Sequence, residues 1–417
     1  MNLPRWALLV LLVPAAALAD ETIEVSVGER QLFLDDHGIA KIDGLQRTMH
    51  QPTKRGAVVK PDVPSDGNSL ELRAAPIWDE TERVYKMFYM AMPMDDHPLI
   101  GMALAVSKDG LHWDKPDWGQ QIKIRGSTKN NRIAVEHKPG VRDTFFLNVV
   151  YDLDDPDVSR RYKALYGDEY RLPVVSPDGI RWTKLAVPRL ASEDESSLVY
   201  DRKHRRFLAW LKTGNKYGRA HSLAISQDVW DRVQMFATEP LVRDDELWIY
   251  YCGLKWRCDP YIYNSDRSSR DLKSLSAEER ADQAEGMGAI CLAVLRRDGF
   301  VSLDAGETAG TITTKPFKWS GSKLMANVEA REPGELQAAV LDTEGAVIAT
   351  SQPLTGNQPR GEFRWSPALP QSLHGQQVSL RFTLREASFY SWWLKWTSDT
   401  SPTRNHTTHD VTGRIAR

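Results

Sequence analysis

Two stretches of the chain share one pattern: Ser107–Trp113 reads SKDGLHW, and Ser176–Trp182 reads SPDGIRW. In each, Asp-Gly provides the positive backbone dihedrals of a tight hairpin turn, and the preceding serine can bond back to the turn backbone. The tryptophan is large enough to fill the layer between neighbouring sheets. Ser226–Trp230 (SQDVW) is a shorter version, and Arg297–Gly299 (RDG) is a fourth. The pattern predicts hairpins that recur along the chain.

Each of these turn motifs follows an aromatic-rich stretch that opens with two apolar residues and an aspartate. The opening aspartates are Asp79, Asp152, Asp201 and Asp244. The spacing to the closing motif is nearly constant in the first three units and longer in the fourth, where the polar segment 255–285 intervenes. Short strands with a recurring aromatic and turn pattern are typical of propeller blades, because one blade must stack on its neighbours to bury both faces. We therefore expect an all-β chain with a β-propeller at residues 20–304.

The sequence changes character after about residue 304. Short apolar strands alternate there with Gly- and Pro-containing turns, which predicts a small antiparallel β-sandwich at residues 305–395. The strands expected in this region are Leu324–Val328, Leu336–Leu341 and Val378–Leu384. A polar tail follows at residues 396–417.

Composition and charge exclude several classes of protein. At ~150 residues per domain, 417 residues predict two or three domains. Hydrophobic residues make up 41% and charged residues 26%, as in ordinary globular proteins. The net charge of -2 provides no basic field for a nucleic-acid backbone or an anionic membrane. We expect a folded protein with no nucleic-acid partner.

The N-terminus predicts export. Arg5 precedes the apolar run Trp6–Leu18, which is too short to cross a bilayer comfortably, and Ala17–Ala19 is an A-x-A cleavage site. Residues 1–19 are therefore expected to be a secretory signal peptide, and the mature protein to be secreted or periplasmic. No later stretch reaches the ~20 apolar residues of a spanning helix.

The cysteines leave the redox state open. An exported protein can hold a disulfide, but three cysteines leave one thiol over, and the pairing among Cys252, Cys258 and Cys291 is not decided by their positions. No C-x-x-C or H-E-x-x-H motif occurs, so the sequence predicts no metal site and no cofactor.

Several motifs resemble one family. Leu32–Asp36 (LFLDD), His50–Pro52 (HQP) and the two S-x-D-G-x-x-W motifs resemble secreted, glycosidase-like five-bladed propeller proteins related to glycoside hydrolase families 32 and 43. The likeness covers nearly the whole mature chain. It continues in Ser127–Asn131, Arg161–Leu165, Arg297–Ser302, Thr314–Pro316, Val378–Phe382 and Ala387–Tyr390.

The chain departs from the family pattern after the third hairpin. The pattern has a further blade there, whereas Ser226–Asp228 is followed almost at once by Glu246–Trp248. Two alternatives remain: four repeats with a blade closed by residues 22–60, or an incomplete propeller. The resemblance thus implies a propeller of four or five blades followed by a β-sandwich.

The resemblance also implies catalysis by carboxyl groups that point into the central funnel. One acid protonates the leaving oxygen, and a second carboxylate is the nucleophile or the base, ~5 Å away in retaining and ~6.5–9.5 Å away in inverting enzymes. Funnel residues come from the innermost strand of each blade, so acids just before or within those strands are the candidates. They are Asp36, Glu71, Asp143, Asp194, Glu195 and Glu246.

Three of these acids are the main candidates. Asp194 and Glu195 open the third blade, where related glycosidases often place the general acid, and Glu71 lies within an apolar inner strand. We expect them to converge on the propeller axis, with one carboxyl protonated at neutral pH because neighbouring carboxylates raise one pKa. Ordinary structural roles in turns, loops and strand edges remain open for every candidate.

Basic residues complete the predicted site. Arg73 can bind either a sugar hydroxyl or a carboxylate substituent, the latter bidentately. His50, His97 and His137 are candidates for the mouth of the funnel.

The function expected from these residues is that of an exported glycoside hydrolase acting on a polysaccharide or oligosaccharide. The alternative is a non-catalytic propeller that has lost a blade and binds carbohydrate or protein. A sialidase is disfavoured, because its S-x-D-x-G-x-x-W box is one residue longer than the motif in this sequence. The oligomeric state is left open.

Overall fold

The chain divides into two compact units. In the computed structural model, Met1–Gln51 with Arg296–Arg417 form one unit, and Pro52–Leu295 form the other. The structure describes residues 22–92, 100–135, 148–167, 170–192, 196–201, 204–215, 218–225, 240–254, 262–263, 269–270, 276–278, 280–281, 286, 288–321 and 323–396.

Strands are the main secondary structure of the described residues, with short 3-10 turns at Val158–Arg160 and Gln371–Leu373 and helical residues at 277–278 and 280–281. The strands are β1 (Gln31–Leu32), β2 (Ile39–Asp43), β3 (Gln46–Met49), β4 (Thr53–Val59), β5 (Ser69–Glu71), β6 (Ile77–Asp79), β7 (Val84–Met92), β8 (Gly101–Ser107), β9 (Val150–Tyr151), β10 (Tyr162–Tyr166), β11 (Tyr170–Ser176), β12 (Thr183–Lys184), β13 (Leu190–Ala191), β14 (Ser196–Asp201), β15 (Arg206–Asn215), β16 (Gly218–Ile225), β17 (Leu241–Arg243), β18 (Glu246–Leu254), β19 (Ile262–Tyr263), β20 (Ser269–Arg270), β21 (Gly288–Arg296), β22 (Val301–Ala305), β23 (Gly310–Thr314), β24 (Phe317–Lys318), β25 (Lys323–Leu341), β26 (Val347–Thr350), β27 (Gly356–Glu362) and β28 (Gln377–Lys395).

The unit Pro52–Leu295 is a β-propeller. Strands β5–β8, β9–β13 and β14–β16 form three successive antiparallel sheets, and β17, β18, β21 and β4 form a fourth. In that fourth sheet, β4 near the start of the unit pairs with β21 at its end, from Thr53 opposite Val294 to Val59 opposite Ile290. This pairing joins the two ends of the unit in one blade. Among the described residues this unit therefore has four blade sheets and a separate two-stranded sheet, β19–β20, and the expected all-β class is confirmed.

Apolar layers join neighbouring sheets of the propeller. Phe88 of the first sheet packs in one cluster with Tyr162 of the second, and Tyr89 of the first packs in another with Tyr250 of the fourth. A smaller cluster around Leu165 links the second sheet to the third. Large aromatic side chains each remove roughly 150–250 Å² from water, so these layers carry much of the stability.

Both S-x-D-G-x-x-W motifs form the predicted turn. The Gly110 N–H donates to Ser107 Oγ (2.8 Å), and Asp109 Oδ1 accepts the N–H groups of Leu111 and His112 (2.8 and 2.9 Å). The Trp113 indole N–H donates to the Gly110 carbonyl (3.1 Å).

The second motif repeats this pattern. Ser176 Oγ accepts from the Gly179 amide (2.8 Å), and Asp178 Oδ1 accepts from the amides of Ile180 and Arg181 (2.8 and 2.9 Å). The Trp182 indole donates to the Gly179 carbonyl (3.0 Å). Trp182 is buried and lies edge-on to Phe88 of the preceding blade, with ring centroids 6.3 Å apart. The placement of this tryptophan between blades is confirmed.

The other unit is one curled antiparallel sheet. Strands β25 and β28, 19 residues each, pair with each other along most of their length, and the other edge of β28 receives β24, β23, β22 and β1. The sheet encloses a single core that includes Leu303, Phe382 and Trp392. The β-sandwich that the sequence predicts at residues 305–395 stays a prediction.

The domain boundary differs from the expectation. The sequence assigns residues 20–304 to the propeller, but β2 pairs with β23 and β3 pairs with β22, so residues 31–49 belong to the curled sheet. The predicted boundary at residue 304 falls inside β22. Pairing between strands more than 250 residues apart leaves no local pattern in the sequence, and this explains the difference.

The described part of the chain contains no helix long and apolar enough to span a membrane.

Candidate functional site

The strongest candidate site lies on the edge strand of the first blade. Strand β5 pairs with β7 on the side opposite to β8, with Glu71 facing Met90 in the register. Glu71 Oε1 forms an ion pair with Arg73 Nη2, and the two side chains are 19% and 27% exposed. The structure therefore brings together a predicted catalytic acid and the predicted sugar-binding arginine.

Asn148 ties the second blade to this strand. Its Nδ2 donates a 2.9 Å hydrogen bond to the backbone carbonyl of Arg73. Asn148 is only 9% exposed, and its Oδ1 has no hydrogen-bond partner within the part of the chain that the structure describes. A buried amide oxygen without a partner costs free energy, so a ligand hydroxyl that donates to it would be stabilised. We call Glu71, Arg73 and Asn148 the edge-strand cluster.

Asn148 is the member of this cluster that the sequence does not reveal. It follows no motif, and its role depends on a contact between blades. Four other predicted site residues, Asp143, Asp194, Glu195 and His137, lie outside the described residues, as does His97.

Glu246 occupies a strand-edge position. It begins β18, sits opposite Arg243 across the β17–β18 hairpin, and is exposed. Its Oε2 accepts the indole N–H of Trp248 at 2.7 Å. The structure does not bring Glu246 into the edge-strand cluster.

Asp36 and His50 lie outside the propeller unit. Asp36 is in an exposed turn after β1, its side chain is 73% exposed, and it pairs with Arg47. The His50 Nε2 lies 2.7 Å from Ser302 Oγ, and its ring packs 5.4 Å from that of Tyr390. Both residues were expected in the propeller, and both belong to the curled sheet because β1 and β3 pair there.

The opening aspartate of the first repeat, Asp79, has a structural role. Asp79 accepts from the Lys86 ammonium (2.9 Å) and from the Tyr162 hydroxyl, and Lys86, which is fully buried, also donates to the Asp178 carbonyl at 3.0 Å. Burial alone would raise the pKa of Asp79, but hydrogen bonds from Tyr162, the Glu82 amide and Lys86 hold the pKa below its ordinary value. This aspartate thus joins the first blade to the second.

The first blade contains a buried polar network that the sequence analysis did not predict. Asp66 accepts from the Lys115 ammonium (2.5 Å) and from the Tyr89 hydroxyl (2.8 Å). Asn131 in turn donates to Tyr89 at 2.7 Å. Burial, together with the neighbouring Asp66 carboxylate, raises the pKa of Tyr89. In the sequence only Asn131 pointed to this network, because it ends Ser127–Asn131, a stretch that resembles the family. Because these contacts satisfy one another, the network is structural.

Neither thiols nor metal-binding groups form a site in the described residues. No group of three or more His, Cys, Asp or Glu side chains there could hold a metal ion. Cys252 and Cys291 are not bonded to each other, and Cys258 lies outside the described residues. Cys252 Sγ accepts the Leu72 amide at 3.0 Å, so this thiol packs against the end of the edge strand.

Comparison with known proteins gives distant structural likeness only. No protein-family model and no curated protein matches the chain. An exo-inulinase from Aspergillus awamori is similar with a TM-score of 0.32 and 10% identity, over 83% of this chain and 99% of that one. A fructofuranosidase from Schwanniomyces occidentalis gives 0.31 and 8%, over 83% and 98%.

A glycoside hydrolase family 43 arabinoxylan arabinofuranohydrolase from Bacillus subtilis is also similar, with a TM-score of 0.26 and 10% identity over 78% of each chain. At such low TM-scores these likenesses do not decide the fold. The propeller rests on the strand pairing described above.

Proposed function

We propose that this protein is a glycoside hydrolase-like propeller that acts on glycosidic bonds of a polysaccharide or oligosaccharide and is exported through the signal peptide at residues 1–19. The observation that carries the proposal is the Glu71–Arg73 ion pair on the edge strand of the first blade. Glycoside hydrolysis uses two carboxyl groups, one of them ionised, and the partly buried Glu71 carboxylate beside the Arg73 cation fits the ionised one.

The ion pair supports one of the two carboxyl roles for Glu71. A carboxylate that pairs with a guanidinium is ionised, so Glu71 fits the nucleophile or base rather than the proton donor. Proton donation then falls to Asp194 or Glu195, which precede Ser196 at the start of β14 in the third blade. Hydrogen bonds to sugar hydroxyls from the edge-strand cluster would position the ring.

Turnover on a panel of aryl-glycosides and polysaccharides tests the proposal. Glu71→Gln and Glu195→Gln keep the side-chain shape and remove the charge or the proton donor, so each should lower turnover by roughly 100–10,000-fold while glycan binding persists. Asp194→Asn tests the neighbouring acid. Glu80→Gln is the matched control, because Glu80 is an exposed turn residue of the same blade.

Two results would count against the assignment. Unchanged turnover in Glu71→Gln, Asp194→Asn and Glu195→Gln alike would remove these residues from the chemistry. A wild-type protein that binds glycans but cleaves none would favour the second candidate, a carbohydrate-binding propeller. That candidate is supported by the sequence, in which Ser226–Asp228 is followed almost at once by Glu246–Trp248, where the family pattern has a further blade.

A further inference from the structure

We propose that the edge-strand cluster selects uncharged sugars and discriminates against uronic acids and sulfated sugars. The proposal rests on the proposed function, since it assigns the substrate class of that same site. The sequence leaves two ligands open for Arg73, a hydroxyl and a carboxylate substituent. The contacts of Glu71 and Asn148 favour the hydroxyl.

The first argument is charge. Glu71 holds Arg73 in an ion pair that is about three-quarters or more removed from solvent, with side-chain exposures of 19% and 27%. The pair as a whole is neutral. A carboxylate or sulfate that approaches Arg73 meets the negative charge of Glu71 at close range, where partial burial weakens screening by water. An anionic ligand at Arg73 would be repelled by the neighbouring Glu71 carboxylate, whereas a neutral ligand would not.

The second argument is hydrogen-bonding type. The Glu71 carboxylate only accepts hydrogen bonds, and the buried Oδ1 of Asn148 is also an acceptor. These two acceptors flank the same arginine, one at its side chain and the other next to its backbone carbonyl. A sugar hydroxyl can donate to either acceptor. An ionised carboxylate or sulfate group in the place of that hydroxyl has no proton to donate, so it leaves the acceptor that it faces unsatisfied, which is a basis for rejection.

Binding to matched pairs of soluble polysaccharides tests the proposal. Suitable pairs are mannan against alginate, galactan against polygalacturonate, and dextran against dextran sulfate, measured by affinity electrophoresis of the full chain at constant ionic strength. We expect retention by at least one neutral polymer, at least ~10-fold stronger than by its acidic counterpart, as for loss of a single hydrogen-bonded contact. Stronger retention by the acidic member of a pair would overturn the inference and leave the proposed function standing.

Variants locate the selectivity. Glu71→Gln leaves the positive charge of Arg73 without its partner, so it should lower or reverse the ratio of retention by the neutral polymer to retention by the acidic one. Arg73→Met leaves Glu71 charged and should keep acidic polymers excluded. Asn148→Ala should weaken retention by the neutral polymer. Glu80→Gln should change neither this retention nor the ratio of retention by neutral and acidic polymers. The inference would be overturned if the wild type and Glu71→Gln showed the same ratio of retention by neutral and acidic polymers. Thermal unfolding must show for this comparison that both proteins are folded. Wild-type binding to no polymer would overturn the proposed function as well.

Discussion

The phenolic hydroxyl of Tyr250 in β18 donates a 2.7 Å hydrogen bond to the backbone carbonyl of Gly110, in the turn that ends the first repeat. Gly110 has a φ of +75°, and a Cβ at this position would lie 2.9 Å from the Tyr250 hydroxyl oxygen and 3.2 Å from the Trp248 ring. The turn of the first blade is therefore built directly on the aromatic residues of the fourth. Glycine is required there both by the backbone conformation and by the close approach.

Two glycine substitutions should separate the cost of the backbone conformation from the cost of the close approach. Gly119→Ala introduces a side chain at φ +67° with no atom within 4 Å, so it should destabilise the protein by about 1–2 kcal/mol from the backbone alone. Gly110→Ala should cost a further 1–3 kcal/mol, roughly, because the neighbouring rings must shift. Urea unfolding of both variants measures the difference, and equal losses would show that the blades do not meet at Gly110.

The two motif tryptophans should contribute unequally. Trp182→Ala removes a buried indole that packs on Phe88, and the free energy of unfolding should fall by ~3–5 kcal/mol. Trp113 packs on Tyr250 with ring centroids 6.2 Å apart but is only partly buried, so Trp113→Ala should cost less. Thermal unfolding of both variants provides the comparison. Wild-type stability in Trp182→Ala would contradict the packing between blades.

The buried lysine of the first repeat should be more sensitive than its equivalent in the second. Lys86 is 0% exposed and pairs with Asp79, whereas Lys163 is 13% exposed and pairs with Asp152. Lys86→Met leaves a buried carboxylate without its cation, so we expect a loss of ~3–5 kcal/mol, and the double variant with Asp79→Asn should recover part of it. Lys163→Met should cost less. A double variant no more stable than Lys86→Met would show that the charge of Asp79 is not the cause.

Stability should fall at acid pH through the turn aspartates. Burial alone would raise the pKa of Asp178, but the amides of Arg181 and Ile180, the Arg181 guanidinium and Ser176 lower it below the ordinary value. A folded-state pKa below the unfolded one, ~3.9, stabilises the protein above that pH, and this contribution is lost as pH falls further. Asp178→Asn should therefore be less stable than the wild type at pH 7, with the difference shrinking near pH 3 in urea titrations. A difference independent of pH would exclude this linkage.

Local features were predictable from the sequence, and long-range ones were not. The turn geometry of Ser107–Trp113 follows from Asp-Gly chemistry, and the role of Asp79 follows from its position in the repeat. The pairing of β3 with β22 could not be predicted, because the exposed residues of β3 carry no pattern that names a partner. Asn148 was missed for a similar reason, since an isolated amide acquires its role only when another blade supplies the Arg73 carbonyl.

The pairing that places β1–β3 in the curled sheet has a consequence for synthesis. The propeller unit is an insertion within the other unit, so its last strand, β21, is complete while β28 has not yet been made. The propeller can therefore close first, since domains fold as units in the order in which they emerge. Strands β1–β3 cannot complete their sheet until β28 has been synthesised. Until then their unpaired edges can pair with other chains and aggregate. Truncation before β28 should thus spare the propeller and leave the N-terminal strands without a partner.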